Sequence, residues 1–317
     1  MPVMGTRSVG ARDARRMGKV MAGLLGRREG GARRLREMLL GAGPVLAPGA
    51  YDAMSALLVE QAGFPAVYMT GFGTTASLLG RPDIGLLTMS EMTAAARRIV
   101  SAVDIPVIAD ADNGYGNAIN VMRTVREYEA AGVAAIHLED QTSPKRCGHM
   151  EGKEVIPAGT MAGKVEAAVA AREDPDFVII ARTDARAVEG FDAALERARR
   201  YRDAGADMLF LEALRTDAEI EAAAAAFPDT PLLFNWVEGG KTPPTSLARL
   251  TELGYRLVIF PVSTLLAATS AVQNVLAELA EAGTPTDAVQ PMPALNDFFA
   301  TVGLPDVLDL GKRYDHD

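Results

Sequence analysis

Residues 107–116 read Val-Ile-Ala-Asp-Ala-Asp-Asn-Gly-Tyr-Gly, and their order decides the fold. With Pro106 in front, Val107–Ala109 is a short apolar run of the kind that forms a parallel strand buried on both faces. Asp110 and Asp112 follow, one small residue apart, and Asn113-Gly114-Tyr115-Gly116 is a turn-forming exit. Two carboxylates at the end of a buried strand are costly there unless a positive group neutralises them. A hard divalent cation such as Mg²⁺ does so through oxygen ligands, and it keeps open positions for substrate oxygens. The alternative is that one Asp caps the next helix while the other is solvated.

Outward from this stretch, short apolar runs alternate with alanine-rich amphipathic ones from Val45 onward. Strands are expected near Val45–Pro48, Ala66–Met69, Val107–Ala109, Ala134–Leu138, Phe177–Ala181, Met208–Leu211, Leu232–Phe234 and Leu257–Phe260. Helices are expected near Tyr51–Ala62, Ser90–Val103, Ala118–Ala131, Thr160–Ala171, Phe191–Ala204, Asp217–Ala226 and Thr245–Leu253. Gly63, Gly132, Gly205 and Gly254 each stand where a left-handed cap ends a helix. Strands and helices alternating in one unbroken series predict an α/β chain of the (β/α)₈ TIM-barrel type, with a doubly wound sheet as the second reading. Beyond the last strand, Ser263–Ala282 reads as a long helix, followed by a Pro/Thr-rich link and a helical piece near Ala294–Thr301. These C-terminal helices are surplus to a barrel and are expected to pack on a neighbouring subunit. The expected division is a basic extension over 1–34, a barrel over 35–282 and a helical tail over 283–317.

The chain has 317 residues, 49% of them hydrophobic, which is ample for a large core. A net charge of −9 argues against a nucleic-acid or anionic-membrane surface. The single cysteine, Cys147, rules out an intrachain disulfide and a cysteine-based zinc cage, and it fits a reducing, cytoplasmic setting. No apolar run is long enough to span a bilayer. The arginine-rich, acid-poor start carries a short amphipathic helix expected around Arg15–Leu25 and lacks the layout of a signal peptide. It reads as a loosely held extension.

In such a barrel the chemistry sits at the C-terminal ends of the strands. The residues there are Gly49-Ala50-Tyr51-Asp52, Thr70-Gly71-Phe72-Gly73, Asp110 and Asp112, Glu139-Asp140, Arg182-Thr183-Asp184, Glu212, Asn235 and Pro261. Acids gathered with one Arg at a single mouth point to a metal-plus-carboxylate site. The loop after the fourth strand, Pro144–Val155, places Lys145, Arg146, Cys147 and His149 between glycines. A thiol beside cations is expected to have a lowered pKa and to serve as acid or nucleophile, unless it is an incidental small residue. His149 reads equally as a general base or as a hydrogen-bond anchor. His137, inside the fourth strand, reads as a hydrogen-bonded barrel residue rather than a ligand.

Seven segments together, YMTGFGTTASLLGRPDIG, ADADNGYG, HLED, PKRCGH, ARTDA, FLEA and NWVEGGKTP, resemble the isocitrate lyase/phosphoenolpyruvate mutase superfamily in that family's order. The likeness runs from about Arg34 to Glu281. Its wording is similar to carboxyvinyl-carboxyphosphonate phosphonomutase-like proteins and 2,3-dimethylmalate lyases, with methylisocitrate lyases somewhat further away. The resemblance implies Mg²⁺, or Mn²⁺ in its place, held directly by Asp110, with Asp83, Asp112 and Glu139 completing the shell largely through water. It implies that the Thr70-Gly71-Phe72 turn binds a substrate carboxylate through backbone N–H groups. Arg182 would grip a substrate oxygen, Asp83, Glu212 and Asn235 would line the substrate, and Tyr68 would contact the oxygen on the reacting carbon. Lys145–His149 would form a gate loop with Cys147 as proton donor. A dimer or homotetramer through exchanged C-terminal helices is also implied.

Two departures from the family pattern bear on the substrate. Met150 stands where methylisocitrate lyases carry an Arg, and WVEGGKTP lacks the serine-rich segment of isocitrate lyases. Both favour a smaller diacid than a tricarboxylate. Trp236 replaces a Met of the family pattern and either narrows the pocket or covers the barrel rim. The expected activity is Mg²⁺-dependent cleavage of a C–C bond in a 2-hydroxy (or 2-keto) dicarboxylate. The rivals are carboxyvinyl-carboxyphosphonate phosphonomutase chemistry, oxaloacetate hydrolysis or decarboxylation, and a non-catalytic dicarboxylate-binding barrel.

Overall fold

In the computed structural model, which describes residues 30–285 and 292–315, eight short strands form one closed, all-parallel barrel. They are β1 (Val45–Ala50), β2 (Val67–Met69), β3 (Val107–Asp110), β4 (Ala135–Glu139), β5 (Val178–Thr183), β6 (Met208–Leu211), β7 (Leu232–Asn235) and β8 (Leu257–Phe260). Pairing of β1 with β8, from Val45–Leu257 to Pro48–Phe260, closes the ring and excludes the open doubly wound sheet. The strands are apolar on both faces because both are covered. Ala47, Tyr68, Ile108, Ile180, Phe210, Leu233 and Ile259 belong to a cluster inside the barrel. Their neighbours Met69, Ala109, Ile179, Leu209, Phe234 and Val258 belong to a cluster beneath the helices. Each fully buried Leu, Ile or Phe contributes about 1.5–3 kcal/mol.

The helices begin and end where their local chemistry directs. α1 (Gly31–Leu39), α2 (Ala53–Gln61), α3 (Gly71–Leu79), α4 (Met89–Ala102) and α5 (Ala118–Ala131) precede β5 in sequence, with α6 (Ala158–Ala171). Reciprocal capping boxes start α2 (Asp52/Ser55), α4 (Thr88/Glu91) and α5 (Asn117/Asn120). All four helix-ending glycines, at 63, 132, 205 and 254, adopt the left-handed backbone their positions require. α7 (Ala185–Val188), α8 (Phe191–Asp203), α9 (Asp217–Ala226) and α10 (Leu247–Glu252) complete the outer ring.

Helix α1 closes the N-terminal face of the barrel. Leu35 and Leu39 join the inner cluster, and Arg36 pairs with Asp207 at 3.1 Å. The expected boundary at Arg34 therefore falls inside a helix. The amphipathic stretch expected at Arg15–Leu25 lies outside the described residues. With one face plugged, chemistry is confined to the opposite one. The barrel's compact unit ends at Leu265, and the chain from Leu266 belongs to a second unit. There α11 (Ser263–Ala282) continues past the boundary, and α12 (Leu295–Thr301) and α13 (Leu304–Tyr314) follow. Among the described residues, no helix is long and apolar enough to cross a membrane.

Candidate active site

Strand β3 delivers Asp110 to the mouth, and three anchors fix the turn behind it. Tyr128 donates its O–H to the Asp110 carbonyl at 2.9 Å, and Lys164 Nζ donates to the Asn113 carbonyl at 2.8 Å. The Asp112 amide donates to Asp110 Oδ1 at 2.9 Å. This turn holds Asp112 in a left-handed conformation with φ 48°. Among the described residues, the other non-glycine residues with positive φ are Tyr115 and Ala213, both also in strand-end turns at this mouth. Such conformations cost of order 1–3 kcal/mol and cluster at functional sites.

The carboxylates converge in a buried pocket. Asp83, Asp110 and Asp112 are each 5% exposed and Glu139 is 1% exposed. Lys145 Nζ lies 2.6 Å from Asp83 Oδ1 and 2.8 Å from Asp112 Oδ1. Lys145 is thus the counter-charge of both Asp83 and Asp112, while the buried Glu139 Oε1 has no hydrogen-bond partner. Burial, against the pull of Lys145, pushes Asp112 up to about 6, with Asp110 and Asp83 adding to the rise. Burial likewise raises Glu139 well above the carboxylate range. A buried Glu139 oxygen without a donor, in an all-oxygen set, fits a hard divalent cation. Among the described residues no three acids, His or Cys already enclose one point, because the Lys145 ammonium stands between Asp83 and Asp112.

Arg182, from β5, organises the other half. Its guanidinium donates to Asp184 at 2.9 and 3.1 Å and lies 3.2 Å from Glu139 Oε2 and 3.3 Å from Glu212 Oε2. Phe210 packs against its face at 5.0 Å. Asn235 Nδ2 donates to Glu212 Oε2 at 3.1 Å. Tyr68 and His137 share a 2.7 Å hydrogen bond inside the barrel, and His137 Nε2 is 3.5 Å from Asp110 Oδ1. Burial, against the pull of Asp110, lowers His137 to about 4, so it is neutral.

Thr70-Gly71-Phe72, expected as a turn, is instead the start of a helix. Thr70 caps α3 by accepting the Gly73 amide at 3.2 Å, and Gly71 opens the first turn. Its first amides lack intrahelical acceptors and, with the helix dipole, suit an anion.

The loop between β4 and α6 lies across this mouth. Its stem is pinned by a Gln141–Val155 bridge and by the Thr142 amide on the Glu154 carbonyl at 2.9 Å. At its tip the Cys147 amide donates to the Asp83 carbonyl at 3.2 Å, and His149 Nδ1 accepts the Lys241 amide at 3.1 Å. His149 Nε2 stands 3.6 Å from Glu212 Oε1. The expected lowering of the Cys147 pKa is corrected. Burial raises it, with Asp83 and Glu212 adding to the rise against Arg182. Its cationic neighbours face elsewhere: Lys145 to the acids, and Arg146 to the Glu151 carbonyl at 3.0 Å. Cys147 is therefore a thiol at neutral pH.

The structure thus brings Asp83, Asp110, Asp112, Glu139, Lys145, Cys147, His149, Arg182, Glu212 and Asn235 to one mouth. Asp140 points away, into a lattice with Thr183, Tyr201 and Arg197, and Asp52 caps α2. Trp236 packs against Phe260, their ring centroids 6.1 Å apart. Two further buried charges stand at the site: Asp184, which the sequence offers only as one of the strand-end acids, and Lys153, which it does not single out. Two residues after Arg182, the Asp184 of ARTDA was the available signal.

A closed parallel barrel with buried acids, one guanidinium and a thiol-bearing loop at one mouth is an enzyme architecture. Comparison with known proteins agrees. The family model for phosphoenolpyruvate phosphomutase matches residues 35–280. The 2,3-dimethylmalate lyase of Eubacterium barkeri is 48% identical over 283 residues, covering 89% of this chain and 98% of that protein. A probable 2-methylisocitrate lyase 1 of Corynebacterium glutamicum is 51% identical over 237 residues, covering 75% and 77%. A solved oxaloacetate acetylhydrolase in complex with 3,3-difluorooxalacetate matches with TM-score 0.85 and 39% identity, over 89% of this chain and 96% of that one. The chain belongs to the phosphoenolpyruvate mutase/isocitrate lyase superfamily and is a carbon–carbon lyase within it.

Proposed function

We propose that this lyase cleaves a small 2-hydroxy dicarboxylate of the 2,3-dimethylmalate kind, with the tricarboxylate 2-methylisocitrate as the alternative, into a 2-keto acid and a second carboxylic acid. The observation that carries the reading is the placing of the Cys147 thiol on a loop that closes over buried acids and Arg182. The cofactor is Mg²⁺, for which Mn²⁺ can substitute, held by Asp110 with Asp83, Asp112 and Glu139 around it. When bound, the cation neutralises the carboxylates and stabilises negative charge on substrate oxygens.

The chain's own groups account for the rest. The first amides of α3, at Gly71 and Phe72, bind the substrate carboxylate, Arg182 grips a substrate oxygen, and Tyr68 contacts the oxygen on the reacting carbon. Glu212 and Asn235 line the remainder. The hydroxyl proton leaves through a held water to one of the site carboxylates, Tyr68 remaining a neutral phenol, and the C–C electron pair departs with the second fragment. The Cys147 S–H then delivers its proton to that carbanion. A raised thiol pKa serves this donor role better than a nucleophilic one. Lys145 and His149 dock the loop and exclude water. With Met150 on the loop, no Arg is supplied there for a third carboxylate, which favours the smaller diacid.

The C-terminal helices assemble a homodimer or a homotetramer, and the protein works in the cytoplasm. Keto-acid release with Mg²⁺, from 2,3-dimethylmalate, 2-methylisocitrate, isocitrate, oxaloacetate and phosphonopyruvate, tests the function. Cleavage of one hydroxy acid, lost in Cys147→Ala, is expected. Turnover of phosphonopyruvate alone would overturn the lyase reading.

A further inference from the structure

We propose that Lys153 is a positioning residue, a fixed post on which the tip of the β4–α6 loop docks so that Cys147 is set above the site. The inference rests on the lyase reading for the use of that thiol. Lys153 is 7% exposed, and its Nζ donates to Asp184 Oδ1 at 2.7 Å and to the Gly148 carbonyl. A buried ammonium is costly unless paired and fully hydrogen-bonded, and these two acceptors supply that pairing.

The two acceptors differ in kind. Asp184 belongs to the rigid barrel: its amide donates to Asp140 Oδ1 at 2.9 Å, and its carboxylate holds Arg182 at 2.9 and 3.1 Å. Gly148 belongs to the loop tip, between Cys147 and His149. Lys153 itself stands beside the pinned stem, next to Glu154 and the Gln141–Val155 bridge. Its ammonium can therefore stay on Asp184 while the tip comes and goes. Gly148 also packs tightly against the site. A Cβ built there would meet Arg182 Nη2 at 2.5 Å and Glu212 Cδ at 2.7 Å. One carbonyl thus docks on a cation at the point where the thiol's own neighbour reaches the substrate-gripping guanidinium. Opening the loop strips that carbonyl of its donor and leaves the Lys153–Asp184 pair in place.

Cys147 is the only cysteine in the chain, so its alkylation by iodoacetamide reports the position of the tip without background. The rate is measured with Mg²⁺ alone and no substrate, on native protein, Lys153→Met and Lys153→Arg, beside their thermal midpoints. Loss of a charge-assisted hydrogen bond predicts alkylation about tenfold faster in K153M, with K153R within about threefold of native. On the substrate that the native enzyme cleaves, K153M is expected to lose kcat about tenfold or more with KM nearly unchanged. Equal alkylation rates in native protein and K153M overturn the proposal. If K153M does not fold, Lys153→Gln is read by the same two criteria. Faster alkylation in K153M beside a native protein inactive on every substrate would uphold the post and reject the lyase reading. Native turnover with equal alkylation would do the reverse.

Discussion

Gly71 and Asp110 touch: a Cβ on Gly71 would overlap the Oδ2 of Asp110. The first turn of the helix that offers its amides to an anion therefore rests directly on the carboxylate proposed to hold the cation. Gly71→Ala must push Asp110 aside, an overpacking cost of about 1–3 kcal/mol. The expected outcome is a folded protein whose Mg²⁺ affinity falls about tenfold or more, measured by calorimetric titration. Unchanged affinity would separate Asp110 from the cation.

Cys147→Ala and Cys147→Ser remove the proposed proton donor without disturbing the buried acids. The expected loss of kcat is about 10²–10⁴-fold, the range for general acid catalysis, with Mg²⁺ binding retained. Turnover near the native rate would exclude the thiol as donor.

Lys145 sits between Asp83 and Asp112 as their counter-charge. Lys145→Met leaves those carboxylates buried without it, and breaking such a pair costs about 3–5 kcal/mol. In EDTA the variant should melt well below the native protein. Because a ligand that binds only the folded state stabilises it, added Mg²⁺ should recover more of the loss in the variant than it adds to the native protein. Equal metal-induced shifts would count against a shared carboxylate site.

His137 is buried neutral, lowered to about 4, whereas in the unfolded chain it titrates near 6.5. A depressed folded pKa contributes stability that is fully present above the unfolded value and lost as pH falls toward the folded one. Metal-free protein should therefore lose up to about 3 kcal/mol between pH 6.5 and 4 from this group. Denaturant unfolding of native protein and His137→Gln across that window checks it. An equally steep decline in the variant assigns the loss to other groups.

The C-terminal helices expose apolar side chains along their length, with Val272 56%, Leu276 58% and Phe298 41% exposed. Light scattering should give a dimer or tetramer of the 33.5 kDa chain, and Leu276→Asp with Phe298→Asp should reduce it to monomer. A monomeric native protein would reject the assembly.

The barrel was legible because its signals are local. Strand runs, capping residues and helix-ending glycines can each be read within a few positions. Helix α3 was not, since Gly71 and Gly73 are poor helix formers there for tertiary reasons. A Cβ at Gly73 would meet Thr70 Cγ2 at 2.7 Å and Tyr51 Cβ at 2.9 Å, and Gly71 makes room for Asp110. The acids and Arg182 were visible as strand-end residues. The direction of the Cys147 shift is not legible in the sequence: its neighbours there suggest a cationic setting, while burial and the turning away of Lys145 and Arg146 decide it. The pairing of Lys153 with Asp184 is not legible, because it spans 31 residues and joins a loop to a strand end.

The left-handed backbone at Asp112 carries a consequence for selection. A charged, buried residue kept at φ 48° is a poor choice for robustness, and Gly or Asn would suit the same turn better. Because Lys145 keeps Asp83 as its counter-charge and burial disfavours the Asp112 carboxylate, Asp112→Gly and Asp112→Asn should yield tougher proteins that no longer work. A screen for heat resistance alone would drift toward them, erasing the catalyst while improving the barrel that carries it.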